Sequence, residues 1–241
     1  MARRIVTPDA GAPDTTSEET SKTRRLLACG IVAGPLFLVV ALVQALIRDG
    51  FDLSRHPISL LSLGELGWIQ ITNFIVTGGL YVACAVGMRR VLRQGRGATW
   101  GPRLVGALGI GLIMGGVFLT DAGAGFPPGA PAGAPEQVSW HGMLHNLAPI
   151  LAMDGMVIGC LVFARRFAAL GQRGWVAAGV GAAVAVVVLT FRPDLDGISV
   201  RLVLAQAIQF AFVAALAAHL MAGLPAVSRP VTARIQPTTS R

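Results

Sequence analysis

The sequence predicts an all-α integral membrane bundle of six transmembrane helices, and three observations support this fold class: composition, long apolar runs and a one-sided distribution of basic residues. Of the 241 residues, 54% are hydrophobic and only 13% are charged, and the mean hydropathy is +0.65. A water-soluble domain of this composition would expose too much apolar surface. The apolar residues also form runs that reach or approach the roughly 20 residues that a helix needs to cross a bilayer.

The predicted spans are the apolar runs that remain between loops rich in Gly, Pro and Arg. They cover residues 26–47, 69–88, 104–120, 141–164, 175–190 and 201–224. The third span is dense in glycine, which predicts close packing against its neighbours. Residues 1–25 and 225–241 are polar without apolar periodicity, so they are predicted to be disordered tails that flank one transmembrane domain at 26–224.

The basic residues predict that both termini lie in the cytoplasm. Sixteen of the 20 Lys and Arg residues occur in the two tails and in the loops at 89–103 and 165–173, and the other four occur in the alternate loops. Short loops rich in Lys and Arg stay on the cytoplasmic side. The net charge of +8 therefore indicates a multi-pass protein of the cell membrane with lipid partners. It does not indicate a nucleic-acid partner, because no basic stripe is interleaved with aromatic residues.

Two loops on the predicted outer side differ in character. Residues 48–68 are amphipathic and partly apolar, which favours a position along the membrane surface. Residues 121–140 are rich in Gly, Pro and Ala and are predicted to be irregular.

The polar residues that carry candidate chemistry gather on this predicted outer side. His56 and Ser59 lie in the first outer loop, Asp121 ends the third span, and His141 and His145 open the fourth. The spacing of the two later histidines puts them on one helical face, where they can share a metal ion, usually zinc. Asp121 or His56 would be the third ligand. The alternatives are two histidines that hydrogen-bond loop carbonyls, haem ligation, and proton transfer.

Asp154 lies roughly 20 Å along the fourth span, at the depth of the hydrocarbon core. A carboxyl group there is costly, so we expect it to face the interior beside a polar partner. Gln44, Gln206 and Gln209 are the candidate partners from other spans. Asp154 is then either a protonated residue that holds helices together or part of a proton or cation relay. Pro149 is expected to bend this span.

Five strings carry a family resemblance. They are R-H-P-I-S-L-L-S-L-G-E-L-G-W-I-Q at 55–70 with N-F at 73–74, V-G-M-R-R at 86–90, F-L-T-D at 118–121, G-F-P-P-G at 125–129 and S-W-H-G-M-L-H at 139–145. Together they resemble an uncharacterised family of bacterial membrane proteins, the domain of unknown function 998, over most of residues 26–222. The resemblance implies a six-span protein and brings no activity with it.

A looser similarity connects the histidine pair to the transmembrane hydrolase superfamily of alkaline ceramidases and progestin/adipoQ receptors. His141 and His145 resemble an H-x-x-x-H pair of that superfamily, whose sites combine Ser, Asp and several His around zinc. Ser59, His56 and Asp121 match the rest of such a site only loosely. The superfamily has seven spans, and its histidine pair lies in the last of them.

The sequence therefore leaves three functional hypotheses open. The first is a non-enzymatic membrane protein with a transport or envelope-associated role. The second is an outward-facing zinc-dependent hydrolase of a lipid-like substrate, in which metal-bound water attacks and Ser59 donates to the oxyanion. The third is a haem or quinone protein, with His56 and His141 as the haem ligands. Convergence of the outer histidines with Asp121 would favour the hydrolase.

Overall fold

The structure, a computed structural model, describes residues 15–135, 137–191 and 197–226. The helices within these residues are α1 (Thr15–Ile47), a short 3-10 helix (Ile58–Ser62), α2 (Gly67–Val91), α3 (Trp100–Val117), α4 (Trp140–Pro149), a π-helical segment (Ile150–Asp154), α5 (Gly155–Ala169), α6 (Arg173–Thr190) and α7 (Ile198–Ala222). α4, the π-helical segment and α5 are continuous. Six helical stretches in the described part are long and apolar enough to cross a membrane. The predicted all-α membrane bundle is confirmed.

The six spans form a ring in chain order. Each span packs against the next, from α1 on α2 to α6 on α7, and α7 packs back against α1. We call the end of the ring that carries the connections at 48–66 and 118–139 the loop end. The opposite end, at which α1 begins and α7 finishes, is the terminus end. The cytoplasmic location of the terminus end stays a prediction.

Large side chains fill the ring from its middle to the terminus end. The ring of Tyr81 packs against that of Phe210 at 5.1 Å, and Phe37 meets Phe210 edge-on at 5.6 Å. Nearer the terminus end, Phe167 stacks on Trp175 at 5.1 Å. These rings bury large apolar areas between the helices.

Glycines bring α2 and α3 into backbone contact. A Cβ atom on Gly78 would lie 2.5 Å from the carbonyl oxygen of Gly109, and a Cβ atom on Gly109 would lie 2.5 Å from that of Gly78. No other residue permits this approach without displacement of a helix. This is the close packing that the glycine-dense third span predicts.

α1 begins earlier than the sequence predicts. Residues 15–25 were expected in the disordered tail, but they continue the helix of the first span. Lys22 and Glu18 form an ion pair of 2.7 Å at i,i+4 spacing, and the Thr20 hydroxyl donates to the Thr16 carbonyl. Extension of a helix that is already nucleated adds one hydrogen bond per residue, so a polar segment can follow an apolar one.

Candidate functional site

The first connection at the loop end folds inward over the ring. Leu60 and Leu61 of the 3-10 helix are buried. The Arg48 guanidinium, just past the end of α1, donates to the carbonyl oxygens of Leu61 at 3.2 Å and Leu63 at 2.6 Å. The loop is therefore fixed to the bundle, and its position along the membrane surface stays a prediction. Its apolar residues find more contact in the interior than the surface would provide.

His56 joins this connection to the second one. The backbone N–H of Asp52 donates to Nδ1 at 2.9 Å. Nδ1 is therefore the acceptor of the ring, and Nε2 donates to the carbonyl oxygen of Ala124 at 2.9 Å. The rings of Phe51 and Phe126 pack around the imidazole. Both ring nitrogens of His56 therefore form hydrogen bonds within the loop end, and its catalytic role stays a prediction.

Asp121 holds the beginning of α4. Its Oδ2 atom accepts from the backbone N–H of Ser139 at 3.0 Å, and the Ser139 hydroxyl in turn accepts from the N–H of Gly142 at 3.0 Å. A Cβ atom at Gly142 would overlap the Asp121 carboxylate, so this position requires glycine. The negative charge also lies where the helix dipole favours it.

The two histidines of α4 have different environments. His141 is exposed, with its imidazole against the neighbouring Trp140 ring at 3.6 Å. His145 is only 6% exposed, and its Nδ1 donates to the carbonyl oxygen of Phe118 at 2.8 Å. The lone pair of Nε2 is left for the interior of the ring.

The structure does not gather the predicted outer cluster. No group of three or more His, Cys, Asp or Glu side chains in the described ranges is placed to hold a metal ion. The metal role of His141 and His145 therefore stays a prediction without a third described ligand. Asp194 and Asp196, two further acidic residues on the predicted outer side between the fifth and sixth predicted spans, lie outside the described residues.

Asp154 is exposed on the outer surface of the ring, in contrast to the expected inward position. Ala152 and Met153 take the buried positions beside it. The expected bend at Pro149 takes the form of the π-helical segment, which leaves backbone carbonyls without their usual helical partners. Gln209 donates to one of these, the carbonyl of Met153, at 2.7 Å. The Gln209 side chain therefore links α7 to the π-helical segment.

The third glutamine that was considered for Asp154 is also used elsewhere. Gln44 donates to the side-chain oxygen of Gln70 at 2.8 Å, between α1 and α2. Gln70 accepts a second bond from Asn73 at 3.2 Å. This buried polar chain joins two helices and does not reach Asp154.

A cavity of about 120 Å³ lies inside the ring at the loop end. One wall is the face of α7 with residues at i, i+3, i+4 and i+7. The facing wall is α4 with the π-helical segment, and Phe37 and Phe74 lie at its base. The two walls are formed by Ser199, Leu202, Val203 and Gln206 on α7, and by His145, Ala148, Pro149, Ala152 and Met153 opposite.

Buried polar side chains line this otherwise apolar space. Ser199 is 1% exposed and Gln206 is 8% exposed. The Ser199 Oγ and the Gln206 Nε2 have no hydrogen-bond partner among the described residues. His145 and Ser59 line the same cavity, and Ser59 also lines an adjoining cleft with Asp121.

Of the eight predicted site residues, the structure thus brings His145, Ser59 and Gln206 to one cavity. Asp121 lies in the adjoining cleft, while His56 and Gln209 are engaged elsewhere. Ser199 was missed from the sequence. The signal that identifies it is its spacing from Gln206, because residues seven apart share one helical face.

The chain belongs to the family described as "Protein of unknown function (DUF998)", whose model matches residues 31–223. The sequence resemblance is confirmed. No curated protein and no solved structure matches the chain. Four of the five strings that carried the resemblance lie at the loop end of the bundle, namely those at 55–70, 118–121, 125–129 and 139–145.

Proposed function

We propose that this membrane protein binds a small lipid-like molecule in the cavity at the loop end. Family membership assigns no activity, so the proposal is based on geometry, and the cavity itself is the observation that carries it. Binding sites for small molecules are concave and mostly apolar, with a few polar groups that fix orientation. The cavity has this character, with apolar walls on α4 and α7 and three buried polar side chains.

The packing around the cavity supports access from the lipid phase. α4 packs on α3 and on the π-helical segment, and no extensive contact joins it to α6 or α7 within the described residues. Leu147 and Ile150 are exposed on its outer surface. We therefore place the passage for an acyl chain between α4 and α7, so that the polar end of the molecule lies in the cavity.

We also propose that the loop end faces the outside of the cell. The terminus end carries the basic residues of the short connections, including Arg89, Arg90, Arg165 and Arg166, and such residues stay in the cytoplasm. The cavity would then open in the outer leaflet. This supports an envelope-associated role. A transport role requires in addition that the packed aromatic half of the ring opens.

The zinc-dependent hydrolase stays the second hypothesis. His145 offers a free Nε2 and Ser59 lines the same cavity, but His141 is exposed and Asp121 lies in the adjoining cleft. Metal analysis of protein purified without a His-tag tests it. About one zinc per chain, lost in a folded His141→Ala/His145→Ala variant, would favour hydrolysis over binding alone.

A matched pair of substitutions tests the binding function. Val203 lines the cavity, whereas its neighbour Leu204 is half-exposed on the lipid side of α7. A phenylalanine at 203 fills the cavity, so we expect Val203→Phe to weaken binding of a pyrene-labelled alkane about tenfold or more, which is about 1.4 kcal/mol of binding free energy, because its ring occupies the space of the ligand. Leu204→Phe should bind as the wild type does.

The measurement is energy transfer from tryptophan to pyrene, titrated in mild detergent with an excess of unlabelled alkane as competitor. Saturable, competed binding by the wild type and by Leu204→Phe, with loss in Val203→Phe, supports the proposal. Absence of saturable binding in the wild type, or equal binding by both variants, would overturn it.

A further inference from the structure

We infer that the molecule bound in the cavity is an uncharged lipid that carries a hydroxyl group, of which diacylglycerol is the best-fitting class. The inference depends on the proposed binding function and adds the chemistry of the head group. It follows from the polar side chains among the cavity-lining residues and from the absence of charged side chains among those that the structure describes.

The absence of charge comes first. None of the described residues that line the cavity is Arg, Lys, Asp or Glu. An ionised head group that leaves water for an apolar site needs an opposite charge or many hydrogen bonds. The described lining offers neither to a phosphate, a carboxylate or an ammonium group. A neutral head group has no such requirement.

The hydrogen-bonding pattern then selects a hydroxyl. The Nδ1–H of His145 is committed to the Phe118 carbonyl, so in the neutral imidazole Nε2 accepts a hydrogen bond. The Gln206 Nε2 donates, and the Ser199 Oγ can do either; both are buried and have no hydrogen-bond partner among the residues that the structure describes. A hydroxyl group can donate to the histidine and accept from the amide. An ester or an alkane would leave the histidine lone pair unused.

The separation of the two donor side chains along α7 favours a head group with more than one polar atom. Ser199 and Gln206 lie seven residues apart, about 10 Å along α7. A helical side chain leans toward the N-terminus of its helix, so the Gln206 amide extends toward Ser199 and shortens this gap. A diacylglycerol presents a hydroxyl group and ester carbonyls close together. One donor can bind the hydroxyl oxygen and the other an ester carbonyl.

Competition against the pyrene-labelled alkane tests the inference on the full chain. The competitors are dioleoylglycerol, the dioleoyl ester of propane-1,2-diol, which lacks only the hydroxyl group, and dioleoylphosphatidic acid, which adds charge. We expect dioleoylglycerol to compete at about three- to tenfold lower concentration than the hydroxyl-free ester, the range that one net hydrogen bond provides. The phosphatidic acid should compete least.

Three variants assign the effect to the cavity. Ser199→Ala and Gln206→Leu should each reduce the preference for dioleoylglycerol over the hydroxyl-free ester. Ser62→Ala is the matched control, since the Ser62 hydroxyl is also buried and orphaned but is not among the cavity-lining residues; its preference should equal that of the wild type. Ser199→Ala removes one atom and keeps the test valid if Gln206→Leu does not fold.

The failures of the two proposals are distinguishable. If the alkane binds and Val203→Phe blocks it, while the three lipids compete equally, the binding function stands and the head-group inference is wrong. A preference that Ser62→Ala abolishes as strongly as Ser199→Ala would also overturn the inference. If the alkane does not bind at all, the binding function itself fails.

Discussion

The two ends of the bundle fill the space inside the ring in opposite ways. Toward the terminus end, large side chains such as Tyr81 and Phe163 are completely buried between the helices. Toward the loop end, the residues that face inward from α3, α4 and α7 include Gly115, Ala148 and Ser199, and a cavity remains between them. Residue size along the helices therefore divides one continuous ring into a packed half and an open half.

The comparison shows that small residues have two different uses in this protein. A Cβ atom on Gly34 would lie 2.6 Å from the Cβ of Phe210, so this glycine lets a large ring pack against the helix backbone. A Cβ atom on Gly115 would make only ordinary contacts, 3.5 Å from the Phe74 ring and 3.9 Å from the Ala148 Cβ. In the first case the missing side chain allows tight packing. In the second it leaves space for another molecule.

One added methyl group in each half of the ring tests whether the two halves differ in packing. Gly34→Ala should lower the free energy of unfolding by about 1–3 kcal/mol, because the backbone or Phe210 must move. Gly115→Ala should leave stability unchanged or raise it by up to about 1 kcal/mol, since alanine is the better helix former. Unfolding in mixed detergent micelles measures both.

The same pair also separates stability from binding. Gly115→Ala narrows the cavity, so it should bind the pyrene-labelled alkane less tightly than the wild type despite equal or greater stability. Equal destabilisation by both alanines would mean that the loop end is as tightly packed as the rest, and the division into halves would be wrong.

A second prediction sharpens the role of the loop end. His145→Ala removes the bond to the Phe118 carbonyl and leaves that carbonyl without its partner, so we expect a loss of about 1–3 kcal/mol in unfolding free energy. His141→Ala changes an exposed side chain and should shift stability by less than about 0.5 kcal/mol. The same micelle titration compares them, and similar losses for both would argue that the pair acts as a unit, as a shared metal ion requires.

The sequence predicted the fold because hydropathy reports directly on the membrane. Apolar runs and basic loops are local features, and a span needs no distant partner to be recognised. The boundary of α1 was missed because helix extension beyond Leu26 into polar residues depends on a helix that already exists, which hydropathy does not report.

The candidate site was less predictable because it depends on side-chain direction. The i,i+4 spacing placed His141 and His145 on one face, but only the neighbouring carbonyl of Phe118 decides which of the two is buried. Ser199 looks like an ordinary residue at a helix start, and its burial depends on the opposite wall. Contacts between distant segments of the chain are not visible in a local pattern.

The smallest expected effect concerns Asp154, the residue that the sequence singled out most sharply and the structure places on the outer surface. Asp154 directly follows Met153, which lines the cavity. Its carboxyl group could therefore affect a bound ligand through Met153. If only side chains that point into the cavity affect binding, Asp154→Asn should change the affinity for the pyrene-labelled alkane by less than about twofold, within the range of surface substitutions. The change in dioleoylglycerol competition that Gln206→Leu causes in the same titration is the reference for the effect of a cavity-lining residue. Loss of alkane binding in Asp154→Asn, with the protein still folded, would mean that the carboxyl group acts on the cavity through the π-helical segment. The open half of the ring would then include this part of the lipid-facing surface.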